Sequence, residues 1–122
     1  RSLDLLVDRG QAEGAIVQGI GWMTMEELVH DGEGRLVTGS LSTYKVPDLH
    51  AAPREIEVVF LDEGIGPGAV LKSKAIGEPP FMYGIGAFFA IRDGMAAVRP
   101  LGWERTVAPL TNERILLGLE GR

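Results

Sequence analysis

The chain has 122 residues, enough for one domain with a real core, and its 45% apolar and 24% charged residues are ordinary for a globular protein. Its net charge is -5, and the Lys and Arg residues are scattered rather than massed, which excludes a phosphate-neutralising nucleic-acid surface. Cysteine is absent, so disulfides, zinc-thiolate sites and iron–sulfur ligation are excluded within this segment; no run is read as approaching the roughly 20 apolar residues of a membrane span, and no targeting peptide is seen.

From the N-terminus, residues 11–28 are predicted to be helical. Ala12, Ala15, Ile16, Ile20 and Met23 recur at helical spacing. Gly14, Gly19 and Gly21 lie inside this stretch, each at a cost of about 1 kcal/mol relative to Ala. Three such glycines imply either very close helix packing or the close approach of another backbone or a ligand. Asp31-Gly32-Glu33-Gly34 is a turn signal leading into a predicted strand over 36–46. A second strand is predicted over 55–62, with Glu55 and Glu57 on one face and Ile56, Val58 and Phe60 on the other. Gly64-Ile65-Gly66-Pro67-Gly68 follows it. This turn lacks the Lys-Ser/Thr ending of a phosphate loop and leads into Ala69-Val70-Leu71, a short strand by pattern.

Residues 80–98 are predicted to be the longest helix, with Phe81, Ile85, Phe88, Phe89, Met95 and Ala96 forming its apolar stripe. Pro79 and Pro80 suit its first turn, where a missing N–H costs nothing. A short helix over 112–119, capped by Thr111, ends the chain. The fold class is therefore α+β, two long helices packed with a small set of strands. The helices carry more apolar surface than those strands can cover, so part of it is expected to pack on further chain. The chain starts at Arg1 and is expected to be a fragment or a trimmed chain.

Chemistry-bearing residues are few. His30 and His50 form no metal motif, and no protein metal ligand is assigned. Glu78 stands between Gly77 and two prolines at the start of the long predicted helix. A carboxylate there is ordinary helix-end electrostatics. Local pattern alone favours that routine reading, although a proline-stiffened loop is also a rigid mount for a general base, which must be held within hydrogen-bonding reach of the proton it takes. Burial among Ala75, Ile76, Phe81 and Met82 would oppose its ionisation and the helix dipole would favour it; local pattern leaves that contest open.

Ser73-Lys74-Ala75-Ile76-Gly77-Glu78-Pro79-Pro80 closely resembles the segment carrying the catalytic glutamate of the xanthine dehydrogenase and oxidase family. Three more stretches resemble that family in the same order: Gly10-Gln11-Ala12-Glu13-Gly14-Ala15-Ile16-Val17-Gln18-Gly19, Ser42-Thr43-Tyr44-Lys45-Val46-Pro47 and Ala87-Phe88-Phe89-Ala90-Ile91-Arg92-Asp93. Together they span roughly residues 8–100. The resemblance implies a C-terminal segment, residues 1–122, of a molybdopterin-binding domain in a cytoplasmic enzyme that hydroxylates hypoxanthine or xanthine at a molybdenum–molybdopterin centre. It implies Glu78 as the general base and Gln11 as a cofactor contact. It also implies a purine substrate, the remaining molybdenum-subunit chain, and Fe–S clusters and FAD on other domains or subunits, with no nucleic-acid or membrane partner. Two other readings stand beside this one. One is a related molybdenum hydroxylase acting on aldehydes or other N-heterocycles. The other is a structural or assembly module docking through Phe81, Ile85 and Phe88.

Overall fold

The computed structural model describes residues 1–61, 68–100 and 106–122. Its regular elements are three α-helices, α1 (Leu5–Thr24), α2 (Ile85–Val98) and α3 (Asn112–Glu120), and two 3-10 turns, Val70–Lys72 and Pro79–Gly84.

α1 begins six residues earlier than the apolar periodicity announces. Asp4 caps it, its carboxylate accepting from the Leu6 and Val7 amides at 3.1 Å each. Asp8 then ties down the preceding segment by accepting from the Ser2 hydroxyl at 2.7 Å. Such a cap stabilises a helix start by about 1 kcal/mol. The helix stops at Thr24, short of residue 28, where the Met25 and Glu26 amides both turn back to the Gly21 carbonyl at 2.9 Å. Ala12, Ala15, Gly19 and Met23 are its buried stripe, and the first three are small. A stripe of that kind brings α1 close to its neighbour, which is the Pro79–Gly84 turn running into α2.

The long helix predicted over 80–98 is two elements. Its first five residues, with Pro79 before them, form the 3-10 turn, closed by the Phe81 amide on the Glu78 carbonyl at 3.0 Å, and the α-helix starts at Ile85. Two successive prolines remove two donors, and a tight i→i+3 turn is a common way to enter a helix. α3 matches its prediction to within a residue: the Thr111 hydroxyl caps the Arg114 amide at 3.3 Å. Gly121 ends it with φ 81, the left-handed conformation that glycine adopts without penalty. Arg99, at the end of α2, reaches the Leu119 carbonyl there at 3.4 Å.

The α+β prediction is overturned: among the described residues no strand forms, and a lone antiparallel bridge joins His30 to Leu36. A strand exists through ladder bonds to a neighbour; beyond the bridge at Leu36 and the Val37 amide's bond to the Val29 carbonyl at 2.8 Å, the segments 37–46 and 55–61 form no ladder among the described residues. In the 55–61 segment the face alternation survives all the same. Ile56, Val58 and Phe60 are half-buried while Glu55, Glu57 and Val59 are exposed. Val70 and Leu71 belong to a 3-10 turn rather than a strand, and Leu71 and Lys72 take φ values of 51 and 59. Most of the glycine-rich turn at 64–68 and the tail of the Pro100-Leu101-Gly102 turn lie outside the described residues.

The Asp31–Gly34 turn does form. The Asp31 carboxylate accepts from the Glu33 and Arg35 amides at 2.9 Å each and from the Arg35 guanidinium at 2.9 Å. Gly34 takes φ 80, where a Cβ would be strained.

Among the described residues, buried apolar side chains are few: Ala12, Ala15, Met23, Met95 and Leu110. Leu6, Leu41, Leu49, Leu61 and Val70 are each more than 80% exposed. The 20-residue stretch Pro79–Val98 is long and apolar enough to cross a membrane, which corrects the sequence reading that no run approaches that length. It contains Arg92 and Asp93, charges that cost up to about 2.5–3.5 kcal/mol each at the centre of a bilayer.

Two outcomes are expected. The isolated chain should bind a dye for exposed apolar surface and self-associate on size-exclusion chromatography; a monodisperse, dye-silent monomer would contradict this surface. The turn at Asp31 should also be acid-sensitive. Hydrogen bonds from Arg35, first from its amide and then from its guanidinium, hold the Asp31 carboxyl below its ordinary value. A depressed carboxyl contributes stability that is complete above the ordinary value, about 3.9, and is lost as pH falls through the folded value. The Gly34 and Arg35 amide NMR shifts should therefore move below about pH 4, and Asp31→Asn should abolish that movement.

Candidate functional site

Gln11 lies on α1, two turns before Gly19, with its side chain exposed. Glu78 stands at the head of the Pro79–Gly84 turn, also exposed, with φ -103 and ψ -39. Its carboxylate caps no amide of that turn. The two predicted residues come from distant parts of the sequence, and the fold brings their segments together. A Cβ on Gly77 would stand 3.5 Å from the Gln11 Oε1, ordinary van der Waals contact. The amide of Gln11 thus faces the backbone immediately before Glu78.

Backbone packing on α1 creates this meeting. A Cβ at Gly19 would overlap the Phe81 carbonyl oxygen, and it would lie 3.0 Å from the Gly84 Cα. One at Gly84 would overlap the backbone of Gly19 and Ile20. The Trp22 and Phe81 rings add a tilted contact, with centroids 5.1 Å apart. Aromatic pairs of this kind contribute about 0.5–1.5 kcal/mol beyond the area they bury. Of the two readings of the glycines, backbone packing therefore accounts for Gly19. Gly14 has nothing within 4 Å of its Cβ position among the described residues, and the same is true of Gly10.

The Ser42–Pro47 stretch is fastened to the end of the same helix. The Pro47 ring occupies the space a Cβ at Gly21 would need. The Tyr44 hydroxyl donates to the Glu26 carboxylate at 2.6 Å. That hydrogen bond comes first, with burial and the Glu26 charge adding to it, in pushing the Tyr44 phenol above its usual value. Arg114 of α3 forms an ion pair with Glu27, so two neighbouring carboxylates beyond α1 hold two separate parts of the chain. Sequence reasoning found neither pairing. Two glutamates after a helix are ordinary, and nothing in the order of residues says which distant donor each will meet.

Beside this site, a cleft of about 370 Å³ runs between Ser2 and Asp8 at the start of α1 and the segment Lys72–Ile76. Gln11 and Glu78 lie outside that cleft, on an open wall. The donor set on this wall is one neutral amide and one carboxylate, and among the described residues no group of three His, Asp or Glu side chains is placed to ligate a metal. Such a set suits a cofactor that brings its own metal ligands and needs only hydrogen-bonding contact from the protein.

Comparison with known proteins agrees with the sequence resemblance. Residues 1–53 match the molybdopterin cofactor-binding domain family. Xanthine dehydrogenase of Dictyostelium discoideum is 42% identical over 118 residues, covering 93% of this chain and 9% of that protein. Xanthine dehydrogenase/oxidase of Felis catus is 45% identical over 98 residues, covering 80% of this chain and 7% of that protein. Xanthine dehydrogenase of Drosophila subobscura is 38% identical over 125 residues, covering 99% of this chain and 9% of that protein. The chain therefore spans under a tenth of the length of these relatives.

The Tyr44–Glu26 contact yields a test. Tyr44 should ionise above the ordinary value of 10.0 in a spectrophotometric titration, and Glu26→Gln should bring it down. A titration curve that Glu26→Gln leaves unmoved would show that the pair does not form.

Proposed function

We propose, for a chain that belongs to the xanthine dehydrogenase family, that it supplies one wall of a molybdenum hydroxylase active site, with Glu78 as the general base and Gln11 as a contact to molybdopterin. The observation that carries this reading is the approach of the Gln11 amide to Gly77, which sets a cofactor-side helix against the glutamate loop. The cofactor would supply the two-electron redox capacity and the activation of water that hydroxylation requires. The net reaction replaces a purine C–H by C–OH, consumes one water and releases two electrons and two protons.

Glu78 would receive one of those protons. A base must be held at hydrogen-bonding distance from its proton, and the loop meets that need by stiffness. Pro79 and Pro80 follow directly, and the Phe81 amide closes the turn on the Glu78 carbonyl at 3.0 Å. The carboxylate caps no amide of the turn, so the fold does not spend it there. Gln11 would orient the cofactor by hydrogen bonding through an amide that both donates and accepts. The electrons would leave through iron–sulfur clusters and FAD carried on other parts of the protein.

Residues 1–122 are read as part of a single molybdopterin-binding domain, completed by the remaining molybdenum-subunit chain. That chain would cover the exposed faces of α2 and of the 55–61 segment, and would provide the groups that clamp the purine. The unmatched alternation of Ile56, Val58 and Phe60 supports this, since it is the signature of a strand whose partner lies elsewhere.

Glu78→Gln in the full-length enzyme should lower xanthine turnover by at least about 100-fold, the loss typical of a positioned base, with molybdenum content unchanged. Near-normal turnover would sink the assignment. Gln11→Ala should instead reduce pterin and molybdenum retention or weaken turnover about tenfold, measured as rate per bound metal. The same enzyme assayed against hypoxanthine, xanthine and simple aldehydes would separate a purine hydroxylase from an aldehyde-oxidising relative. The isolated 122-residue chain should retain no molybdopterin, because two contacts on an open wall are too few.

A further inference from the structure

We infer that Gly19 is a positioning residue for Glu78, its missing side chain seating the Phe81 carbonyl directly on α1 and so fixing where the glutamate loop stands relative to Gln11. This rests on the reading of Glu78 as the base.

The loop touches α1 at two places. Upstream of Glu78, Gly77 faces the Gln11 amide; downstream, Phe81 and Gly84 lie against Gly19. Glu78, Pro79 and Pro80 fill the interval between these points, and proline fixes φ at both of its positions. Little backbone freedom is left to absorb a displacement at one contact before it reaches the other. Gln11 and Gly19 belong to the same helix, eight residues and about 12 Å apart along its axis, so α1 acts as the ruler between cofactor contact and base. The closeness of the seat is what makes it demanding. An alanine Cβ at Gly19 would overlap the Phe81 oxygen and approach the Phe81 carbonyl carbon at 3.1 Å. These are backbone atoms, which cannot rotate away as a side chain would, so the turn has to lift. Gly14, on the same helix, meets nothing within 4 Å among the described residues and offers the loop no such seat.

A misplacement of about 1 Å at a catalytic group can cost on the order of 100-fold in rate. In full-length holoenzyme, Gly19→Ala should therefore lower kcat per bound molybdenum by at least about tenfold while KM stays within about twofold, and Gly19→Val should lower it further. Molybdenum and pterin content and the melting temperature of each variant separate this from simple loss of folded enzyme, which would reduce active sites without changing the rate at each. Phe81→Ala approaches the same seat by loosening it: removing the ring that rests on Trp22 should again lower kcat per bound molybdenum with KM nearly unchanged. Should Gly19→Ala fail to load cofactor, this second variant decides the matter. Unaltered kcat per molybdenum in the variant that loads, alongside an inactive Glu78→Gln, would overturn the role of Gly19 and leave Glu78 as the base. An active Glu78→Gln enzyme would instead overturn the underlying reading.

Discussion

The contact between the backbone of α1 at Gly19 and the turn at Phe81–Gly84 is the constraint on which the rest of the described structure depends. It is a contact of main chain on main chain, available only because neither Gly19 nor Gly84 carries a Cβ. Everything else that α1 holds is arranged along it. The Gln11 amide meets Gly77 one way along the helix, and the Pro47 ring fills the hollow at Gly21 the other way. Beyond the helix end, Glu26 takes the Tyr44 hydroxyl and Glu27 takes Arg114. One helix thus collects the glutamate loop, the Ser42–Pro47 stretch and α3. It does so with small buried side chains rather than with a large apolar core, since Ala12, Ala15 and Gly19 supply most of the stripe. Dispersion at close range takes the place of bulky burial, and close range leaves no tolerance for added atoms.

How much of this was legible in the sequence follows from where each piece of information resides. Helices announce themselves locally, and α3 with its Thr111 cap was readable almost to the residue. The start of α1 was missed because its signal is polar: Asp4 caps two amides ahead of any apolar repeat. The boundary between the 3-10 turn and α2 was missed because helical periodicity counts side chains and does not register which carbonyl each amide meets. The strands failed for a deeper reason. Alternation along 55–60 is real in the pattern of exposure, yet a strand needs hydrogen-bond partners, and none pairs with it among the described residues. Glu78 was singled out by resemblance alone, since local chemistry favoured an ordinary helix start; the spatial meeting of its loop with Gln11 could not be inferred from either.

The exposed apolar residues and the unpartnered extended segments make the same point from different sides. Met82 and Tyr83, in the turn that follows Glu78, are 56% and 74% exposed, and Phe89 on α2 is 46% exposed. A surface of that kind is costly in water and ordinary inside a larger domain. The relatives are more than ten times longer than this chain by the share it covers, 7–9% in each. The membrane-like length of Pro79–Val98 belongs to the same exposed apolar surface.

Electrostatics around Glu78 also look different once the turn is seen. A carboxylate at the head of an α-helix sits at the positive end of the macrodipole, whose influence fades within the first turn. Here the α-helix starts at Ile85, and a six-residue 3-10 turn intervenes. The favourable helix end anticipated from the sequence is therefore displaced from the carboxylate. On this chain the glutamate is held in place but left exposed. Position comes from α1, through the backbone contact at Gly19.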